Sequence, residues 1–358
     1  MQRTTKKIVA FSIIPQVIII KLLSLKPEWI ETFYSNGIYP WISKAMHFSF
    51  GWIPVSIGDL LYTLASIYVI RWLYKNRKHF IKDFKTYCID VLATISIAFF
   101  AFHMLWALNY NRLPLHHTLE VDNSYTTEEL KDTTRQLIEK VNSLHDSLSV
   151  SDTLKVEFPY SKSELLAQIP NGYSNLSKQY PHLSYSHASI KPSLYSLQLT
   201  YMGFSGYLNP FTNEAQIDDM IPKYKYPTTG SHEVAHQLGY AAENEANFIG
   251  FMAATHNDNI YFKYSGYAFA LKHCLAEIYL RDPDYFKEIK TTLNKGVFKN
   301  YAEVRNFWDS YQNPIEPLFK TTYNSYLEAN NQAGGIESYS YVVALLVNYF
   351  EKRPSHLI

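Results

Sequence analysis

Cysteine is nearly absent: Cys88 and Cys274 are the only 2 in 358 residues, and they lie far apart with no paired spacing. That excludes a disulfide framework and a thiolate metal site, and it leaves the redox compartment unread. Net charge is lacking too. The 33 basic and 32 acidic side chains balance to +1, so no global field draws in nucleic acid or acidic partners, and no nucleic-acid partner is expected. Charged residues make up 18% of the chain against 47% hydrophobic, the reverse of what a disordered chain needs. From Asn109 onward no linker, internal repeat or low-complexity tract breaks the sequence up.

Apolar sequence is plentiful near the start. Ile8 to Leu25, Ile53 to Leu73 and Cys88 to Leu108 each approach the roughly 20 residues of a bilayer-spanning helix. Residues 1–108 are therefore expected to form a membrane region with three spans, at about 8–25, 53–73 and 88–108. A secretory signal peptide is the rival reading of the first stretch, because Arg3, Lys6 and Lys7 precede an apolar run. No small-x-small cleavage site follows, which favours an uncleaved anchor. Arg71, Lys75, Arg77, Lys78, Lys82 and Lys85 crowd the loop between the second and third stretches, whereas Lys26 and Lys44 alone lie between the first two. By the positive-inside rule the N-terminus and that loop are cytoplasmic. The chain after Leu108 then lies outside, in the periplasm or beyond the cytoplasmic (inner) membrane of a bacterium. Asp59, Asp90 and His103 read either as an intramembrane pathway or, more simply, as polar groups at helix ends and bundle faces.

Residues 109–358 turn polar and mixed, enough for one extracytoplasmic domain. In SYTTEELKDTTRQLIEKVNSLHDSL, capping residues and acids precede Leu130, Leu137, Val141, Leu144 and Leu148 at helical spacing. SLYSLQLTYMGFSGYLNPFTNEAQID reads as short strands with turns at Gly203, Gly206 and Asn209-Pro210. After Gly230 the pattern is mostly helical. The fold class expected is α+β, mostly helical, with N-terminal transmembrane helices ahead of the outer domain.

The chemistry is concentrated in SHEVAHQLGYAAENEANFIGFMAA, where His232, Glu233 and His236 form an H-E-x-x-H motif. Residues four apart share a helix face, so both imidazoles can bind one Zn2+ ion while Glu233 serves as general base towards its water. A catalytic zinc needs a third protein ligand. On an unbroken helix Glu243 would lie about 10 Å further along the axis, too far to share the ion. The chain must turn, and Gly239 is placed to end the helix. Glu243 and Glu245 then compete on different faces of a following helix. Glu243 is favoured, because Asn247 four residues later could hydrogen-bond a zinc-binding histidine.

These residues resemble the zincin metallopeptidases, and among them the gluzincins, in which a glutamate on a following helix completes the zinc site, often with an aspartate four residues on. E-N-E-A-N is similar to that pattern with Asn247 in the aspartate's place, although only six residues separate His236 from Glu243. The metzincin motif shares Gly239 but has Ala242 where its third histidine stands. NYNRLPL, GFSGYLNPFTNEAQI, HEVAHQLGYAAENEANF and YLEANNQAGGIESYSY together resemble an uncharacterised family of bacterial membrane proteins, the domain-of-unknown-function family numbered 3810. The resemblance implies a zincin-like, zinc-dependent membrane metallopeptidase, hence a peptide or protein substrate; the short tether to the apolar helices points to a substrate close to the lipid bilayer. In zincins an edge strand often pairs with substrate, and the strand-like run around Phe204 to Ile217 reads either as such an edge or as an ordinary hairpin of the sheet. Tyr264, Tyr267, His273, Tyr339 and Tyr341 are candidates for stabilising the oxyanion, and Ser338 for capping the final helix. Against hydrolysis stand three other readings: a non-catalytic zinc-binding envelope sensor or assembly protein, histidines that merely pack, and a transporter. Three imperfect spans without a repeated half disfavour the last.

Overall fold

The computed structural model describes residues 3–78, 80, 83–330, 332 and 339–352. Ser338 lies outside the described residues, and so does the side chain of Tyr339. The apolar start is helical but not as three straight spans. Helices α1 (Arg3–Phe11) and α2 (Ile13–Leu23) are interrupted at Ser12, whose hydroxyl turns back to the Val9 carbonyl at 2.8 Å. Then come α3 (Pro27–Trp29), a π-helix over Ile30–Ile38 and α4 (Tyr39–Phe50). The chain bends by 97° between the two halves of this run. Next are α5 (Ile57–Asn76) and α6 (Phe84–Leu105).

Among the described residues α6 alone is long and apolar enough to cross a membrane, and the bent pair adds a second span if it is counted as one. The expected count of three is thus one or two. The first stretch is broken and bent, and the second, α5, carries Asp59, Arg71 and Lys75 within its 20 residues. These helices are compatible with anchoring in a bilayer.

Asp59, Asp90 and His103 each have a partner within the protein. Lys6 and Asp90 form an ion pair at 2.8 Å, and His103 Nδ1 meets the Phe99 carbonyl one turn back at 2.9 Å. Asp59 is buried at the start of α5, where it accepts from Ser193 Oγ at 3.0 Å, from the Leu194 N–H at 2.7 Å and from the Tyr207 hydroxyl. It is a helix-end anchor rather than part of a pathway. Beside it the N–H groups of Ile57 and Gly58 donate to Glu214, which also pairs with buried Lys191.

After a 3-10 turn over Ala107–Asn111 come α7 (Leu115–Leu119) and α8 (Thr127–Leu148). The latter is the expected amphipathic helix, closed by a reciprocal Thr126 and Glu129 capping box that satisfies two end N–H groups. It buries Leu130, Leu137, Val141 and Leu144. A second capping box opens α9 (Lys162–Leu176). The sheet has three short strands in the order β1-β3-β2. Strand β1 (Ile190–Pro192) runs parallel to β3 (Glu214–Ile217), and β2 (Gly206–Asn209) runs antiparallel to it. Between β1 and β2 the expected strand at 196–202 is instead α10 (Ser196–Met202), which buries Leu199 and Thr200 on adjacent positions of one turn. Gly203 ends that helix with φ +79°, and Gly206 lies in a strand instead of a turn.

The remainder is helical: α11 (Tyr226–Gln237), α12 (Glu243–Thr255), α13 (Ile260–Arg281), α14 (Pro283–Ile289), α15 (Lys295–Tyr311), α16 (Glu316–Ala329) and α17 (Tyr339–Glu351). Helices α11 and α12 pack against each other, and α13 packs on α8 and α12. Tyr173, Tyr226, Phe248, Phe251 and Phe262 fill the core between them, each under 2% exposed. The fold is mostly helical with few strands.

Candidate metal centre

The H-E-x-x-H segment lies in the last two turns of α11, one wall of which packs on β3 and α9. As expected, the helix stops just before Gly239, which takes φ +88°. A side chain there would also meet the Tyr39 ring at 2.9 Å and Asn109 Oδ1 at 3.0 Å, so conformation and space both call for glycine. The chain reverses over the five residues 238–242 and α12 begins at Glu243.

That reversal brings Glu243 back to both imidazoles. His232 Nε2 and His236 Nε2 are 3.0 Å apart, His232 Nε2 is 3.3 Å from Glu243 Oε2, and His236 Nε2 is 3.6 Å from Glu243 Oε1. The three donors are the one group of this kind among the described residues. Ligands about 2.0 to 2.1 Å from a tetrahedral zinc sit roughly 3.3 Å from one another, and the observed separations bracket that value. The residues present therefore fit a zinc ion. Glu245 points elsewhere, accepting the Leu115 N–H at 2.6 Å.

Two of the three donors are oriented from behind. His236 Nδ1 meets the Tyr240 carbonyl at 2.7 Å, an arrangement that leaves Nε2 free to face an ion. Glu243 Oε1 accepts the Tyr323 hydroxyl at 2.7 Å, from α16. His232 Nδ1 is buried with no hydrogen-bond partner of good geometry, and Asn247 is the polar group that reaches towards this ring. Burial, with the charge of His232, takes His236 down to about 4, so it is neutral at ordinary pH. For His232 burial alone lowers the pKa, but the hydrogen bond and charge of Glu243 outweigh it and the net direction is up. Burial would raise Glu243, yet its histidine and tyrosine partners bring it down to about 2.

Glu233 is 4% exposed and its Oε2 has no partner. Burial, opposed by His232 and helped by the charge of Glu243, pushes its carboxyl up to about 8. A Cβ on Gly206 would lie 2.7 Å from Glu233 Oε1, so the bare backbone of β2 is what lets this carboxylate sit against the strand. Strand β2 is a sheet edge, because β3 pairs with it on one side only. It is the part of the expected edge region that faces the site.

All of this opens into a cavity of about 770 Å³. Besides the four site residues, its walls include Ser205 to Leu208 from β2 and its approach, Tyr323 and Tyr326 from α16, and Tyr62, Phe102 and Trp106 from the apolar helices and the residue that follows them. Lys225 and Lys320 are its cations. Of the sequence-based oxyanion candidates, the four whose side chains are described do not line it: Tyr264 donates to Asn300 at 2.9 Å in the core, Tyr267 and His273 lie along α13, and Tyr341 lines a second cavity that meets Glu243 and Glu245 from the other side. The tyrosine at the site is Tyr323, which no local pattern distinguishes among 30 tyrosines.

Arg112 of the NYNRLPL segment, with Trp106 and helix α4, braces this turn from behind. Trp106 Nε1 donates to the His236 carbonyl at 3.0 Å, and Arg112 donates to the Gly239 carbonyl at 3.0 Å while gripping Glu31 with two nitrogens. From α4, Tyr39 and Ser43 donate to the Gln237 carbonyl at 2.8 and 3.2 Å.

A family model described as a protein of unknown function (DUF3810) matches residues 34–347. The chain belongs to that family, and the match spans both the apolar helices from α4 onward and the group His232, Glu233, His236 and Glu243. No curated protein and no solved structure matches it.

Proposed function

We propose that the protein is a membrane-anchored, zinc-dependent hydrolase, most simply a peptidase, with His232, His236 and Glu243 as ligands and Glu233 as base. One observation carries the reading: three ligand atoms spaced for a single tetrahedral ion, with one coordination side open to a cavity that also holds a buried carboxylate. Structural zinc sites are usually closed by four protein ligands and need no base. A bound zinc ion supplies Lewis acidity, bringing the pKa of a water towards 7 and polarising a carbonyl. Glu233 takes a proton from the attacking water as its oxygen bonds to the carbonyl carbon, then delivers it to the amine nitrogen as the C–N bond breaks. Burial makes Glu233 a stronger proton acceptor than an exposed carboxylate, and a neighbouring cation draws its pKa down again from about 8. The edge of β2 offers free backbone groups to an extended peptide. Tyr323, already beside Glu243, is the hydroxyl best situated to meet a developing oxyanion.

The Lys6 and Asp90 ion pair holds the basic N-terminus beside the loop end of α6, which supports both basic segments lying on the cytoplasmic side and the site lying outside. The test is elemental analysis of detergent-purified protein. Wild type, Glu245→Ala and Glu233→Gln should each carry one zinc, Glu243→Ala should carry none, and Glu233→Gln should lose turnover by about 100- to 10,000-fold. Folded wild type without zinc would instead support the non-catalytic envelope protein.

A further inference from the structure

We propose that the space between α5 and α6 is a lateral entrance from the bilayer into the cavity, and that the substrate is a polypeptide tethered in the membrane by an apolar segment. This deepens the peptidase reading and rests on it for the word substrate; the entrance itself does not. The two helices meet only near their loop ends, where the Trp72 and Tyr87 rings are 5.5 Å apart and the Tyr87 hydroxyl donates to Asn76 Oδ1 at 3.1 Å. No extensive packing joins them elsewhere among the described residues, since α6 spends its covered face on α1 and α2. At their other ends Tyr62 on α5 and Phe102 on α6 both line the cavity that contains the metal cluster. The wedge between them therefore runs from the apolar flanks to the histidines.

Its walls have the chemistry of a surface in lipid. From Leu64 to Arg71, two full turns of α5, every residue is exposed on all sides, with Leu64 at 62% and Ile70 at 66%. Ile97 and Phe100 of α6 are exposed by 58% and 54%. So much contiguous apolar surface is untenable in water, and the apolar length of α6 supplies the bilayer that covers it. The occupant that passes inward is a peptide rather than a lipid, because the inner end of the wedge meets the unpaired edge of β2 at Tyr207 and Leu208. Backbone pairing is what such an edge offers.

The experiment uses the full chain in phosphatidylcholine vesicles containing a lipid with a diazirine on its acyl chain near the glycerol, with labelled residues located by mass spectrometry. Tyr62 and Phe102 should be labelled to an extent comparable with Leu64, and Val150, 97% exposed on the outer domain, should not. Label on Leu64 and Ile97 with none on Tyr62 or Phe102 would overturn the entrance. In a second arm, zinc-loaded protein is given one peptide with and without an apolar membrane anchor. The anchored form should be cleaved about a hundredfold faster, the gain expected from confinement beside the site. Equal rates would overturn the substrate class. Cavity labelling with neither peptide cleaved would count against the peptidase reading and leave the entrance standing.

Discussion

The indole N–H of Trp106 donates at 3.0 Å to the backbone carbonyl of His236, so the residue that closes the longest apolar helix is bonded directly to a histidine of the metal cluster. The rings also meet edge to face, with centroids 6.2 Å apart. The apolar helix and the site are thus one mechanical unit. The same carbonyl also accepts the Gly239 N–H, so losing the indole donor alone is tolerable. Trp106→Phe should cost about 1 kcal/mol in denaturant unfolding, one hydrogen bond's worth. Trp106→Ala should cost about 3 to 5 kcal/mol, because it empties a 5% exposed site. Equal, small losses for both would show that this contact does not couple the two regions.

Tyr323 holds Glu243 from α16, 80 residues along the chain. Burial first, and then the adjacent carboxylate, push its hydroxyl pKa well up, so it remains a donor at any working pH. Partners of this kind that orient a ligand usually matter by about 10- to 100-fold in metal affinity. Tyr323→Phe should weaken zinc binding by that factor in competition with a chromogenic chelator, with the fold unchanged by circular dichroism. An unaltered affinity would remove Tyr323 from the support of the site.

What could be read from sequence was local. The helical period puts His232 and His236 on one face, a left-handed glycine at 239 stops the helix, and the distance argument forces a reversal that returns Glu243. All three are consequences of chain geometry over a dozen residues, and the structure has each of them. What depended on distant partners was hidden. Asp59 reads from sequence as a helix-end group, which it is, but nothing near it reveals that Ser193 and Tyr207 are its partners. NYNRLPL looked like a family signature with no task, although Arg112 in it spans from Glu31 to the Gly239 carbonyl. The stretch at 196–202 was misread as a strand because three apolar residues in seven suit either period.

Arg112 and Glu31 form a buried pair at 2.6 Å, with side chains only 6% and 11% exposed. The guanidinium also lies 4.0 Å from the centre of the Tyr240 ring. Removing one partner strands the other charge away from water, at a typical cost of about 3 to 5 kcal/mol. Arg112→Met should be destabilised by about that much, and adding Glu31→Leu should recover a large part of it. If the double variant is no better than the single one, the loss comes from the freed Gly239 carbonyl and not from the stranded carboxylate. Thermal unfolding of the four proteins in the cycle separates the two.

Glu245 gives a pH dependence whose sign is fixed. Burial, opposed by the Leu115 N–H and by Arg112, raises its carboxyl from 4.5 to about 7. Between those values the folded chain holds a proton that the unfolded chain has released. Stability therefore falls as pH rises across this window, by on the order of 3 kcal/mol in total, and is level again above about 7. Glutamine keeps an acceptor for the Leu115 N–H but cannot ionise, so Glu245→Gln should match wild type near pH 4.5 and exceed it at pH 8. The check is urea unfolding of metal-free protein at several pH values from 4.5 to 8. Parallel stability curves for the two proteins would mean that Glu245 stays ionised in the fold, its charge held by Arg112 despite the share of that cation already taken by Glu31.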